Sequence, residues 1–199
     1  MSQSTIGTKV ATGYYRMRHA LASVSLLFLS SAFASAAQVD DKTAVQIAQP
    51  RETIFERGAD RKLFAESAIA ADDFYGFWNN GSQALLDAAI SKDFVDHTLP
   101  AGRPQGPTGL VIASKAFLTA VPDLQAEVVQ RLFVGDRVVS HLRFTGHFTG
   151  EFMGRKGSGE AVDFIATDIL RVRDGRITDN WHLEDNLTFL QQIDVISGE

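Results

Sequence analysis

From Leu124 to Asp185 the sequence alternates apolar and polar residues with few interruptions, and this is the feature that most limits what the chain can fold into. Leu124 to Val134 and Arg137 to Thr149 are separated by Gly135-Asp136, and Ala161 to Arg173 and Arg176 to Asp185 by Asp174-Gly175. Short Gly/Asp turns between period-two stretches read as β-hairpins, so four antiparallel strands are expected. Ahead of them the period lengthens to that of a helix. Phe64, Ala68, Ala71, Phe74/Tyr75 and Trp78 form one apolar stripe, ended by Asn79-Asn80-Gly81. Leu85, Leu86 and Ile90 form a second behind Ser82, and Leu110, Ala113, Phe117 and Val121 a third between Thr108, read as its cap, and Pro122. Asp93 to His97 reads as a turn or short strand, and Gly150 to Gly159, with four glycines, as a flexible loop. Three helices followed by an antiparallel sheet give an α+β fold, with the helices packed on one face of a curved, mostly antiparallel sheet that encloses one pocket.

The first residues have a different character. Lys9, Arg16, Arg18 and His19 precede an apolar run from Ala20 to Ala34, which ends in Ala34-Ser35-Ala36. A charged segment, a short apolar segment and an A-x-A site in that order read as a signal peptide over residues 1–36, with Met17 an alternative start and an uncleaved anchor the alternative fate. The expected location is secreted or periplasmic, with no membrane contact after cleavage. Removing residues 1–36 leaves 16 Lys/Arg against 24 Asp/Glu, a net charge of −8. Such a surface argues against nucleic acid or an anionic membrane as partner. The absence of cysteine excludes thiol catalysis and thiolate metal sites. Residues 37–58, polar and interrupted by Pro50, read as a linker or flexible arm, and residues 59–199 as the one domain.

The last hairpin carries the chemistry of interest. The apolar residues of its first strand, Val162, Phe164, Ala166, Leu170 and Val172, are even-numbered; those of its second, Ile177, Trp181 and Leu183, are odd-numbered. A two-residue turn that pairs Val172 with Ile177 brings both sets to one core. The same register puts Asp168 opposite Trp181 and Phe164 opposite Asp185, with Asp168, Asp179 and Asp185 inward. Asp168 and Asp185 then lie on the order of 13 Å apart, too far to share a proton. Asp168 has a structural explanation in the Trp181 indole N–H, and Asp179 in water near the turn. Asp185 is either the N-cap of a closing helix from Leu187 to Ile193 or an acid in an apolar pocket, where its pKa would rise toward neutrality.

Four histidines follow residue 36. His182 has outward parity, whereas the face shared by His141, Arg143, Thr145 and His147 depends on the length of the Gly135-Asp136 turn and on a bulge that Gly146 would allow. Their spacing matches no metal motif, so no metal is expected.

Several short segments together carry a resemblance. Asp96-His97, Val121-Pro122-Asp123-Leu124, Thr145-Gly146-His147-Phe148-Thr149-Gly150, Arg173-Asp174-Gly175-Arg176-Ile177 and Trp181-His182-Leu183-Glu184-Asp185, followed by Leu190-Gln191-Gln192-Ile193, resemble the SnoaL-like polyketide cyclase (ester cyclase) family of the NTF2-like superfamily. The resemblance spans about Leu63 to Ile193. It implies an NTF2-like cone with one deep apolar pocket, often dimerised through the sheet into a homodimer. It also implies cofactor-independent closure of a polyketide ester by an acid at the end of the last strand. That acid matches Asp185, with His147 as a catalytic partner, and with His97, Trp181, Asp168, Phe164 and Trp78 around a small apolar ligand. Two function classes stay open on these grounds, a cofactor-independent acid/base enzyme acting on a carbonyl compound and a non-catalytic ligand-binding protein. A structural dimerisation module is a third.

Overall fold

The computed structural model describes residues 38–58 and 60–197. The expected signal peptide lies outside them. Among the described residues no helix is long and apolar enough to cross a membrane. Chain order runs α1 (Asp41–Ile47), β1 (Glu52–Phe55), α2 (Arg61–Asn80), α3 (Gln83–Ala89), β2 (Ile90–Asp96), α4 (Pro107–Ala120), β3 (Gln125–Val134), β4 (Arg137–Phe148), the short pair β5 (Glu151–Phe152) and β6 (Arg155–Lys156), β7 (Glu160–Arg173), β8 (Arg176–Glu184) and α5 (Asn186–Gln192). The six long strands form one sheet in the order β1-β3-β4-β7-β8-β2. The two hairpins form its antiparallel centre, and β1 and β2 join at the edges in parallel to β3 and β8. The α+β architecture expected from the two periodicities is therefore the one observed, extended by two edge strands.

The stop signals act where the sequence places them. Gly81 closes α2 with φ +71°, a left-handed conformation that costs glycine little, and its N–H bonds to Phe77 O. Ser82 Oγ accepts from Leu85 N at the start of α3. Thr108 is not the cap of α4: that helix starts after Gly106, with Pro107 in its first turn. Inside, α2, α4 and α5 press an aromatic layer onto the sheet. Phe117 and Phe189 sit 5.3 Å apart, and Phe164 stacks on Phe144 at 5.0 Å. Aromatic pairs at such separations add to the area they bury.

Residues 38–58 are not a linker. Asp40 caps α1 through Thr43 N, Ala44 and Ala48 are fully buried, and β1 extends the sheet. Buried Asn79 fastens this segment: its Nδ2 donates to Ala44 O at 3.1 Å and Ala126 O at 3.3 Å, and its Oδ1 accepts from Ala126 N at 2.6 Å. One amide thus joins the N-terminal segment, α2 and β3.

The decisive departure from the expected register is in the last hairpin. Asp174 and Gly175, at φ +50° and +70°, form the two-residue turn, and Val172 does pair with Ile177. One residue later the ladder shifts. Arg171 pairs with Asp179, so Thr178 has no partner, and from there Leu170 faces Asn180, Asp168 faces His182 and Ala166 faces Glu184. A single extra residue reverses the parity of all that follows it. Asn180, His182 and Glu184 turn toward the helices; Asp179, Trp181 and Leu183 turn outward, where Leu183 is 78% exposed. In β4 the turn is the two-residue one and Gly146 marks no bulge, since Gly146 and His147 pair in step with Val162 and Ala161. The even residues of β4 other than half-buried Gly146 are buried, so His141 and His147 lie on the outer face.

Replacing Asn79 with Ala strands buried backbone groups of Ala44 and Ala126. The expected loss, roughly 2 to 4 kcal/mol in urea unfolding, should come with faster amide exchange in α1. A loss below about 0.5 kcal/mol would show that the N-terminal segment is held by other contacts.

Candidate functional site

Between the helices and the concave side of the sheet lies a cavity with two ends of different chemistry. Phe74 and Trp78 of α2, Phe117 of α4, Phe144 of β4 and Phe164 of β7 make an aromatic wall, and Arg103, Asp168, Asn180, His182 and Glu184 make a polar end. The void, counting crevices and the mouth, is about 500 Å³, of which a water molecule's centre reaches only about 30 Å³. The side chains thus close around the site, and an organic ligand must displace them.

The polar end is built across adjacent strands. Asp96, at the end of β2, is 5% exposed. It accepts from Thr98 N at 2.9 Å and from Arg103 Nη2 at 3.0 Å. His182 Nε2 stands 3.0 Å from each Asp96 oxygen, and Nδ1 2.7 Å from Glu184 Oε1. Both ring nitrogens therefore face carboxylates and neither is free to ligate a metal. Burial alone would lower the His182 pKa, but Glu184 and Asp96 outweigh it and raise it to about 9. Burial likewise works against ionised Asp96 and Glu184. Asp96 is held below its ordinary value by the Thr98 N–H, His182 and Arg103, and Glu184 by His182, its own backbone N–H and Arg103. Charges removed from water persist only when paired in this way.

Asp168 is treated differently by the fold. It lies on β7 between Ser140 of β4 and His182 of β8, buried and, among the described residues, without a salt bridge. Burial pushes its carboxyl up to about 7; His182, Tyr75 and Asn180 pull the other way, and the Glu184 charge adds to the rise. A carboxyl poised near neutrality beside an apolar wall can both take and return a proton near pH 7. Arg103 Nε and Asn180 Oδ1 are buried with no hydrogen-bond partner among the described residues. Arg103 thus brings a spare N–H to this end of the cavity.

The sequence-predicted site residues divide by side of the sheet. Asp168, Phe164 and Trp78 border the cavity. Asp185 does not: it caps α5, accepting from Thr188 N at 3.1 Å and Thr188 Oγ1 at 2.7 Å, and these bonds hold its carboxyl below the ordinary value rather than above it. The expected apolar surroundings of Asp185 are thereby corrected, and the cap reading is the one observed. His147 is outside too, with Nδ1 2.7 Å from Asp123 Oδ2 and a side chain 62% exposed. Trp181 faces outward with His97 stacked on it at 4.2 Å, and His97 Nε2 lies 2.7 Å from Asp179 Oδ1. Trp181 therefore cannot satisfy Asp168. The residues missed, Asn180, His182, Glu184, Asp96 and Arg103, have one signal in common. They are polar groups at strand and loop positions that alternate like a solvent face.

Asp168 supplies a stability test. Its folded value lies above the ordinary 3.8, so the folded state keeps a proton that the unfolded state loses. That contribution is complete below about pH 4 and is lost as pH rises to 7, a loss of roughly 4 kcal/mol at most. Asp168→Asn removes the penalty. Its stability relative to the wild type, from urea unfolding, should increase from pH 4 to pH 7 and then level off; a difference independent of pH would contradict the buried-acid assignment.

The sequence model of the SnoaL-like polyketide cyclase family matches residues 68–193. No curated protein sequence matches significantly. Among solved structures, one from Bacillus cereus ATCC 10987 that is named as a polyketide cyclase is 39% identical, with a TM-score of 0.69 over 76% of this chain and 96% of that one. IdmH from Streptomyces antibioticus, also named as a polyketide cyclase, is 28% identical, with a TM-score of 0.57 over 67% and 99%. TsrD from Streptomyces laurentii, at 22% identity, shares the fold with a TM-score of 0.60 over 69% and 99%.

Proposed function

The chain belongs to the SnoaL-like polyketide cyclase family, and from the polar end of its cavity we propose that it is a cofactor-independent acid/base enzyme acting on a small, mostly apolar carbonyl compound, with Asp168 as the group that moves the proton. The observation that carries this reading is a buried carboxyl with no ionic partner, poised near pH 7, at the junction of an aromatic wall and a polar end.

The aromatic wall binds the apolar body of the substrate and excludes water. The carbonyl oxygen meets Arg103, whose unpartnered Nε–H donates to it, and the Asn180 amide. Ionised Asp168 then removes a proton from the adjacent carbon, and the negative charge develops on the oxygen held by Arg103. The resulting enolate attacks a second carbonyl of the same molecule, or is reprotonated at another carbon. Protonated Asp168 returns its proton in either case, so the step balances and leads to cyclisation or isomerisation. His182, paired on both sides, keeps Asp96 and Glu184 compatible with a buried, water-poor site. This opposition of a near-neutral carboxyl and carboxyls held below their ordinary range follows the rule that environments push titratable groups apart to define acid and base roles.

Deuterium incorporation next to the carbonyl of aromatic ketones and β-ketoesters, followed by NMR in D₂O, tests the proposal. The wild type should accelerate exchange for members of this panel. Its rate should rise with pH to a plateau above 7, then fall near pH 9 as His182 loses its charge. Asp168→Asn should lose about 10²-fold or more while still binding the same compound. Binding without any acceleration in the wild type would instead favour the ligand-binding protein.

A further inference from the structure

Next to Asp168 lie two polar residues that the proposed chemistry does not use. Tyr75 of α2 and Ser140 of β4 are both fully buried, and neither borders the cavity. Among the described residues, Tyr75 Oη and Ser140 Oγ have no hydrogen-bond partner of good geometry. Buried hydroxyls are seldom left so, and each such group calls for an explanation.

Their placement supplies one. Ser140 stands directly opposite Asp168 in the β4–β7 ladder, as His182 does in the β7–β8 ladder. Inward side chains at directly opposed positions have Cβ atoms about 5 Å apart. Ser140, Asp168 and His182 therefore form a row across three strands, which continues to Asp96 through the His182–Asp96 contact. Tyr75 comes down on this row from α2, close enough to both Ser140 and Asp168 for each to influence its hydroxyl. Burial raises the Tyr75 hydroxyl well above its ordinary range, so it stays protonated and remains a donor. The Arg131 guanidinium, paired to Asp72 at 2.5 Å, lies 5.6 Å from the centre of the Tyr75 ring.

We propose that Tyr75 and Ser140 are positioning residues for Asp168, engaging its carboxyl from the α2 and β4 side and leaving the other oxygen aimed into the cavity. This rests on the reading that Asp168 is the proton carrier. A carboxyl reached from one side only has a defined donor and acceptor oxygen, which a freely turning one lacks. The remaining polar groups around Asp168 are His182, Glu184 and Asn180 from β8 and Arg103 from the loop before α4, so the α2 and β4 contributions are separable from them by substitution.

The test is a carboxyl ¹³C NMR titration of aspartate-labelled protein, in the wild type, Tyr75→Phe and Ser140→Ala, with thermal melts to establish that each is folded. Loss of a donor to the carboxylate should raise the Asp168 midpoint by about one pH unit in Tyr75→Phe. The pH of half-maximal deuterium exchange should move with it. Ser140→Ala, a smaller change, should move both in the same direction and carries the test if Tyr75→Phe does not fold. Folded variants whose melting temperature drops while the Asp168 midpoint stays at the wild-type value would overturn the positioning role and leave the proposed function standing. A wild-type midpoint near 4 would overturn both.

Discussion

Between Ile177 and Asp179 the last long strand carries one residue, Thr178, with no partner on β7, and the composition of the cavity follows from it. Without that residue, Trp181 and Leu183 would point inward and close the polar end with hydrocarbon. With it, Asn180, His182 and Glu184 enter the interior beside Asp168, while Trp181 packs outside between His97 and the guanidinium groups of Arg137 and Arg171. The tight Asp174-Gly175 turn fixes where the strand begins; the bulge fixes which face it shows. Bulges tend to occur where a strand must re-aim a side chain, and here the side chains re-aimed are the polar end of the cavity.

Burying those groups costs desolvation energy, and the fold offsets it unevenly. His182 takes two carboxylates, Asp96 takes His182, Arg103 and Thr98, and Glu184 takes His182. Each ion in this set is compensated and stays charged across neutral pH. Asp168 receives only weak help from Tyr75, Asn180 and the His182 charge, so it is the one that gives way and takes up a proton near pH 7. The site thus sets one compensated ionic network beside one uncompensated acid. The compensated set fixes geometry, and the uncompensated acid keeps a proton it can exchange.

Much of the fold was legible because periodicity reports burial. The helical stripes, Gly81, Ser82, the two-residue Asp174-Gly175 turn and the inward set of β7 all appear in place, whereas the length of the Gly135-Asp136 turn stayed open in the sequence. Phe164, Trp78 and Asp168 reach the cavity because they stand where regular period-two or period-3.6 counting is sufficient. The edge strands β1 and β2 were less legible: they are short, and β1 is exposed along its length, so neither alternates clearly. The last strand failed for a specific reason. Both of its faces carry a plausible pattern, and a one-residue insertion changes no composition while exchanging the two. Asp185 looked inward by parity, and the cap of α5 is where the bulge leaves it. Nor could the sequence connect Arg103, in a Pro/Gly-rich loop, with Asp96 and His182, since that contact depends on how the loop folds back.

The face of the last strand bearing His182 lies inside, among carboxylates. Side-chain ¹H–¹⁵N NMR of the histidines across pH 5 to 10 reports that placement. An interior His182 held between Asp96 and Glu184 should stay doubly protonated through pH 8 and titrate near 9. A His182 resonance that titrates near 6.5, as a solvent-facing imidazole does, would return it to the outer face and contradict the account.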